Sequence, residues 1–147
     1  MNSEKIKDMI DVCYKARRIL ELLPKLPRGV APSYIHYLDV IQALEKKQKL
    51  VKISDIAFEL NLPKPGVTRT VKEMESKGYV NKYASNEDKR ITYISISDQG
   101  MELYEKYNYH YFIELANDLN DISIDDADLM IETMEKFYQV MCKRRRK

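Results

Sequence analysis

Residues 54–96 hold the pattern that most constrains this chain. Two short stretches with apolar residues at helical spacing, 54–60 and 65–77, are separated by a turn around Asn61, Leu62, Pro63 and Lys64. Two runs rich in β-branched and aromatic residues, 79–83 and 91–96, follow at once. Ile56, Ala57 and Leu60 make the inward side of the first helix, with Ser54 as its expected cap. Val67, Val71 and Met74 make the inward side of the second. Pro65 lacks an N–H and disfavours helical backbone at Lys64, so this helix is expected to begin at Pro65; Gly78 closes it. Ser85, Asn86, Glu87 and Asp88 supply turn chemistry between the two strands, which predicts a hairpin. Helix, tight turn, helix and hairpin in this order make a winged helix.

The flanking segments are helical. Over residues 3–23, Ile6, Met9, Ile10, Cys13, Ala16, Leu20 and Leu23 share one stripe, and Pro24 and Pro27 stop it. Ser33 is the expected cap of a second helix carrying Tyr34, Tyr37, Leu38, Ile41 and Leu44, ended by the polar run 45–49. Residues 50–53 read as a short strand or extended segment. Ser97 should cap a long fifth helix reaching about Asn120, with Tyr104, Tyr107, Tyr111, Leu115 and Leu119 along one face. The last helix, from Ile124 or Asp125, repeats Ala127, Met130, Ile131, Met134, Phe137, Tyr138 and Met141. Asp125, Asp126 and Asp128 sit in its first turn and the cations of 143–147 at its end, the polarity its dipole favours. The expected fold is therefore mainly α with a small β-hairpin: a winged helix-turn-helix lobe over 32–97, flanked by helices over 1–31 and 98–147 in one domain. The terminal helices carry more apolar surface than the central lobe can cover, which predicts a two-fold homodimer through them.

Composition narrows the function classes. With 44% hydrophobic and 33% charged residues the chain is globular rather than disordered. No apolar run approaches the roughly 18 residues of a membrane span, and the charged start reads as helix rather than signal peptide. Cys13 and Cys142 cannot build a disulfide framework and fit a reducing cytoplasm. No nucleophile–base motif, phosphate loop or glycine-rich dinucleotide turn is present, so neither an enzyme nor a cofactor is expected. His36 and His110 are the only histidines, and no metal set can be assembled around them. The net charge of +2 hides an asymmetry. Residues 61–97 carry seven cations (Lys64, Arg69, Lys72, Lys77, Lys82, Lys89, Arg90) against four acids, whereas 98–135 carry eleven acids against Lys106 alone. A polyanion is attracted to the first stretch and repelled by the second.

With Val67, Val71 and Met74 inward, Thr68, Arg69 and Lys72 project outward, and Lys64 and Thr70 lie nearer the edge. Such a helix fits the major groove of double-stranded DNA, where Arg69 can pair bidentately with guanine and Thr68 can meet a thymine methyl or a phosphate. Lys64 and Lys72 suit phosphates. Lys89 and Arg90 end the hairpin loop, and an arginine at that tip suits the minor groove; Asp88 is placed to orient Arg90 or the loop backbone. The competing reading makes these ordinary surface charges on a winged helix that binds another protein.

Three stretches carry a resemblance: Leu60-Asn61-Leu62-Pro63-Lys64-Pro65-Gly66-Val67-Thr68-Arg69, then Glu75-Ser76-Lys77-Gly78-Tyr79-Val80, then Glu87-Asp88-Lys89-Arg90-Ile91-Thr92-Tyr93-Ile94-Ser95-Ile96-Ser97-Asp98-Gln99-Gly100. Together they resemble the MarR family of multiple antibiotic resistance regulators, without gaps from the recognition helix through the Asp-x-Arg wing signature. The resemblance implies a dimeric winged-helix transcription regulator, most often a repressor, that binds pseudo-palindromic operators and often releases them when a small molecule or oxidant acts. The chain departs from the family pattern at Pro63, Pro65 and Gly66, where Ser or Thr is common, which implies fewer backbone phosphate contacts there and electrostatic compensation by Lys64. Ile96-Ser97 replaces the family's Leu-Thr mildly.

In that family ligands lodge between the dimer helices and the DNA-binding lobe. The residues this implies for a small aromatic or anionic effector are Arg17 or Arg18 with Tyr34, His36, Tyr37, Tyr104, Tyr107, Tyr109, His110 and Tyr111; tyrosines at helical spacing also simply pack cores. Related peroxide sensors use a first-helix cysteine beside tyrosine hydroxyls, which makes Cys13, next to Tyr14, a redox candidate; on an apolar stripe an inert thiol is the alternative. The cationic tail 143–147 belongs in this architecture to the dimerisation end rather than to the DNA.

Overall fold

The computed structural model describes residues 1–48 and 50–146. Lys49, in the polar run expected to end the second helix, and Lys147, last of the cationic tail, lie outside the described residues. Among the described residues, seven α-helices and two strands fall into two compact units, divided between Asn108 and Tyr109. No helix among the described residues is long and apolar enough to cross a membrane.

In the first unit, α1 (Ser3–Glu21) opens on Asn2, whose side chain accepts from the Lys5 N–H at 2.8 Å. It ends two residues before the expected Leu23, at a Leu22 cap. Met9, Ile10, Cys13 and Ala16 are half-buried, and α1 buries none of its residues fully. The second helix, α2 (Pro32–Gln48), starts at Pro32 rather than behind a Ser33 cap. Proline suits a first helical position because its missing N–H would have no partner there. Tyr34, Tyr37, Leu38, Ile41 and Leu44 are its buried face.

The next helix, α3 (Ile53–Leu60), also begins earlier than the sequence suggested. Ser54 lies inside it; Lys52 takes the cap position, and its backbone N–H donates to the Asp55 carboxylate at 2.9 Å. A carboxylate can replace a capping hydroxyl, which a search for Ser or Thr overlooks. The left-handed Asn61 ends α3. Helix α4 (Lys64–Ser76) begins one residue ahead of Pro65, with Pro63 as cap. The restriction Pro65 places on Lys64 is overcome by its context. The Tyr79 N–H then donates to the Met74 carbonyl at 2.9 Å across Gly78, whose φ of 84° only glycine adopts freely.

The hairpin pairs β1 (Val80–Ala84) with β2 (Thr92–Ile96) antiparallel, Val80 opposite Ile96 and Ala84 opposite Thr92. Val51 forms an isolated bridge to Ile94 on the other side of β2, so residues 50–52 supply extended backbone rather than a full strand, and Ile53, expected with them, already belongs to α3. The Ile96 N–H finds the Glu45 carboxylate at 3.0 Å. Val51, Ile56, Val67, Val71, Met74, Val80 and Ile94 join the α2 face in one core. This is the winged helix that the residue pattern implied.

Ser97 caps α5 (Asp98–Tyr104): its hydroxyl oxygen accepts from the Gly100 N–H at 3.0 Å and its O–H donates to the Gly78 carbonyl at 2.5 Å. The long fifth helix does not run on regularly. Glu105–Tyr109 form a π-helical turn, α6 covers His110–Ala116, and the helix stops short of Asn120. An extra residue within one turn leaves an approximate three-or-four spacing of apolar residues intact, so periodicity cannot reveal it.

In the second unit, α7 (Ile124–Arg145) starts with a reciprocal cap: the Asp126 N–H donates to Ser123 Oγ at 3.0 Å and the Ser123 N–H to the Asp126 carboxylate at 3.1 Å. These bonds lower the Asp126 pKa. Like α1, α7 has no fully buried residue.

One close approach fixes where α5 starts. A Cβ on Gly100 would collide with the Tyr79 carbonyl oxygen, which is backbone and cannot swing aside. Gly100→Ala should destabilise the lobe by about 1–3 kcal/mol, read as a lowered urea midpoint with an unchanged slope.

Candidate nucleic-acid interface

The site is built on α4. Val67, Val71 and Met74 are completely buried, and at 3.6 residues per turn this fixes the opposite side. Lys64, Thr68, Arg69 and Lys72 are exposed and Thr70 is half-buried. Thr68 Oγ1 donates to the Lys64 carbonyl at 3.0 Å, so its hydroxyl proton is already committed; its methyl group and oxygen lone pairs remain for a ligand.

The far end of α4 is held by polar bonds to α2. The Tyr34 hydroxyl, on a residue only 2% exposed, donates to Glu73 at 3.0 Å and accepts from Lys77 Nζ at 3.1 Å. Lys77 also donates to the Gly29 carbonyl at 2.6 Å and lies over the Tyr34 ring at 5.1 Å from its centroid. A buried phenol with both roles satisfied is a rigid anchor. Sequence reasoning placed Tyr34 among effector residues and overlooked Glu73; only tertiary contact across 39 positions brings them together.

The wing loop is organised by its own side chains. Ser85 is buried, and its hydroxyl oxygen accepts from the backbone N–H groups of Glu87 at 3.2 Å and Asp88 at 3.3 Å. The Ser85 N–H donates to the Ile91 carbonyl at 2.8 Å, and the Ile91 N–H to that of Asp88 at 2.9 Å. Asp88 takes Arg90 in a fork: Nε donates to Oδ1 at 3.1 Å and Nη2 to Oδ2 at 3.0 Å, with the Arg90 backbone N–H also on Oδ1 at 3.0 Å. The Arg90 side chain is 90% exposed, and the fork uses only two of about five guanidinium N–H donors. The hydrogen bonds from Arg90 hold the Asp88 carboxyl below its usual pKa, and Asp88 raises that of Arg90. Lys89 is exposed. Ser85, expected among the turn residues of this loop, is thus its anchor, and its position two before Glu87 is the mark of a serine turn.

The residues linked with an effector are scattered in their roles. Tyr37 is buried in the core; Tyr104 is buried, with its hydroxyl on Asp39 at 3.3 Å. Tyr107 is half-buried beneath Lys106 Nζ, 5.4 Å from its ring centroid, while Arg17, Arg18 and His36 are exposed. In the second unit Tyr109 and His110 are exposed and stack edge to face, and Tyr111 is half-buried. Cys13 is half-buried and Tyr14 exposed. Among the described residues no group of three or more His, Cys, Asp or Glu side chains converges on a metal-sized site.

Comparison with known proteins matches residues 28–91 to the MarR family model. The match takes in 64 of the 147 residues, less than half of the chain. It is 27% identical over 108 residues to the uncharacterised HTH-type transcriptional regulator YdgJ of Bacillus subtilis, a match covering 74% of this chain and 63% of that relative. The chain thus spans less than two thirds of that relative's length. SarZ of Staphylococcus haemolyticus, also named an HTH-type transcriptional regulator, is 24% identical over 83% of this chain and 88% of its own. A likeness in fold extends beyond the matched segment: FabT of Streptococcus pneumoniae, solved in complex with DNA, superposes with a TM-score of 0.68 at 16% identity, covering 97% of this chain and 99% of its own. A MarR mutant from E. coli, solved with operator DNA, gives 0.68 at 19% identity over 89% and 91%.

The paired wing has a defined pH response. A lowered native pKa means that the Asp88–Arg90 fork contributes fully above the unfolded aspartate value of about 3.9 and is lost as pH falls through the lower native value. A carboxyl-carbon NMR titration should place the Asp88 midpoint below that value, and Arg90→Gln should return it upward.

Proposed function

We propose that this chain is a DNA-binding transcription regulator of the MarR family, a repressor acting as a homodimer on a pseudo-palindromic operator in the cytoplasm. The observation that carries this is the exposed Lys64, Thr68, Arg69 and Lys72 on a helix whose opposite stripe is wholly buried, beside a wing that presents Lys89 and Arg90. Arg69 reads a base edge in the major groove; Lys64, Lys72 and Lys89 neutralise phosphates; Arg90, oriented by Asp88, enters the minor groove. Relatives named as transcriptional regulators and structural neighbours solved with DNA support the reading.

The lobe over 32–97 does the reading and the helices over 1–31 and 98–147 make the dimer. Supporting this, α1 exposes Val12, Ile19 and Leu20, and α7 exposes Leu129, Met130, Ile131, Met134 and Tyr138. Two lobes then meet half-sites about one helical turn, roughly 10 base pairs, apart. A small aromatic or anionic effector acts through the tyrosine-bearing helices by changing that spacing.

Fragments selected from the source genome test the reading. Arg69→Ala should cost about 1–3 kcal/mol and relax preference at one base position. Lys72→Ala should weaken all sequences alike and make the salt dependence shallower by about one ion. Affinity that ignores salt would favour a protein-binding module.

A further inference from the structure

The two strands of the wing have one side turned to the core and one turned away. Val80 and Ile94 are buried, and Lys82, on the same side of β1 as Val80, pairs with Glu75 of α4 at 3.9 Å. That pair ties β1 to the helix that carries the exposed cations. Alternation puts Asn81 and Tyr83 of β1 on the other side, directly opposite Ser95 and Tyr93 of β2. Neither strand holds a carboxylate. The Tyr83 and Tyr93 rings pack together, 5.6 Å between centroids and tilted by 45°. Only the Ala84–Thr92 pair separates them from the loop that presents Lys89 and Arg90. Tyr93 is half-buried and Tyr83 is 43% exposed. The hydroxyls of the buried Tyr34 and Tyr104 are engaged by Glu73 and Asp39, whereas among the described residues those of Tyr83 and Tyr93 have no hydrogen-bond partner.

We propose that Tyr83 is a contact residue for duplex DNA: its hydroxyl donates to a phosphate oxygen at the edge of the minor groove that Arg90 enters, and Tyr93 holds its ring in place. This rests on the reading of the wing as a DNA-binding element. The minor groove is about 6 Å wide, and two strands about 4.8 Å apart cannot enter it with their side chains. The loop goes in and the strands stop at the sugar–phosphate ridge. Side chains just behind the loop therefore meet backbone rather than base edges. A phenol suits that place, because it donates one hydrogen bond to phosphate and lays its ring against the sugar. Its two side-chain torsions leave little freedom to lose, and the packing on Tyr93 leaves less. Being neutral, the hydroxyl adds a phosphate contact that displaces no counterion, unlike Lys64, Lys72 and Lys89.

The full-length chain, Tyr83→Phe, Tyr93→Phe and Arg69→Ala are compared by thermal unfolding and by binding to the same set of genome-selected duplexes at several salt concentrations. Phenylalanine keeps the ring pair, so only a hydroxyl is removed. Tyr83→Phe should unfold within about 2 °C of the parent and bind every duplex about three- to tenfold more weakly, with the salt dependence unchanged. Tyr93→Phe should bind as the parent does. A purely structural role for the pair gives no loss in either Phe variant. Tyr83→Phe affinity within about twofold of the parent, with Arg69→Ala impaired, would overturn this inference and leave the DNA-binding reading standing. Equal losses in the two Phe variants would overturn it as well, since they would speak for the pair and not for the Tyr83 hydroxyl. A parent chain that binds no selected duplex would overturn both.

Discussion

The exclusion of Val67, Val71 and Met74 from water is the constraint on which the rest depends. Each is completely buried in the core shared with Leu38, Ile41, Ile56 and Ile94. Burying a side chain of this size is worth about 1.5–3 kcal/mol, so turning α4 by half a revolution would forfeit several such terms. It would also drive Lys64, Arg69 and Lys72 into the core without partners, which is costlier still. The orientation of the outward side chains is thus a consequence of the inward ones. The helix presents cations because its other side has nowhere else to go.

Polar bonds then fix what the apolar stripe leaves loose. A buried stripe sets rotation about the helix axis but permits tilt and slide. The Tyr34, Glu73 and Lys77 cluster ties the end of α4 to α2 and to the Gly29 carbonyl. Ser97 ties the start of α5 to the Gly78 carbonyl just beyond α4. The wing depends on a third group, in which Ser85 gathers the loop backbone and Asp88 aligns Arg90. Because the Arg90 side chain is 90% exposed and that of Asp88 35% exposed, the value of the pair lies in aiming the guanidinium rather than in stabilising the fold.

Much of the architecture was legible because it rests on local pattern. Val67, Val71 and Met74 repeat at helical spacing, Gly78 marks a stop, and β-branched runs flank a loop with turn residues. What was not legible needed either an unusual local solution or a distant partner. Asp55 replaced Ser54 at the start of α3, and Pro32 replaced Ser33 at the start of α2; several residue types satisfy the same orphan N–H groups. The π-helical turn at Glu105–Tyr109 preserves the spacing of tyrosines that suggested one regular helix. Glu45 and Glu73 read as surface carboxylates until the fold brings them to the Ile96 N–H and the Tyr34 hydroxyl. Of the interface, the exposed residues of α4 follow from the buried stripe by geometry alone and the Ser85 turn of the wing is equally local, whereas the anchor at Tyr34 needs partners 39 and 43 positions away.

The most direct test of the central claim is a map of which backbone amides respond to DNA. Amide chemical shifts of the isotope-labelled chain, followed while a selected duplex is titrated in, should move most at residues 64–72 and 85–91. The acidic stretch 114–135 should remain unperturbed. Shifts concentrated in that acidic stretch, with residues 64–72 unmoved, would contradict the account.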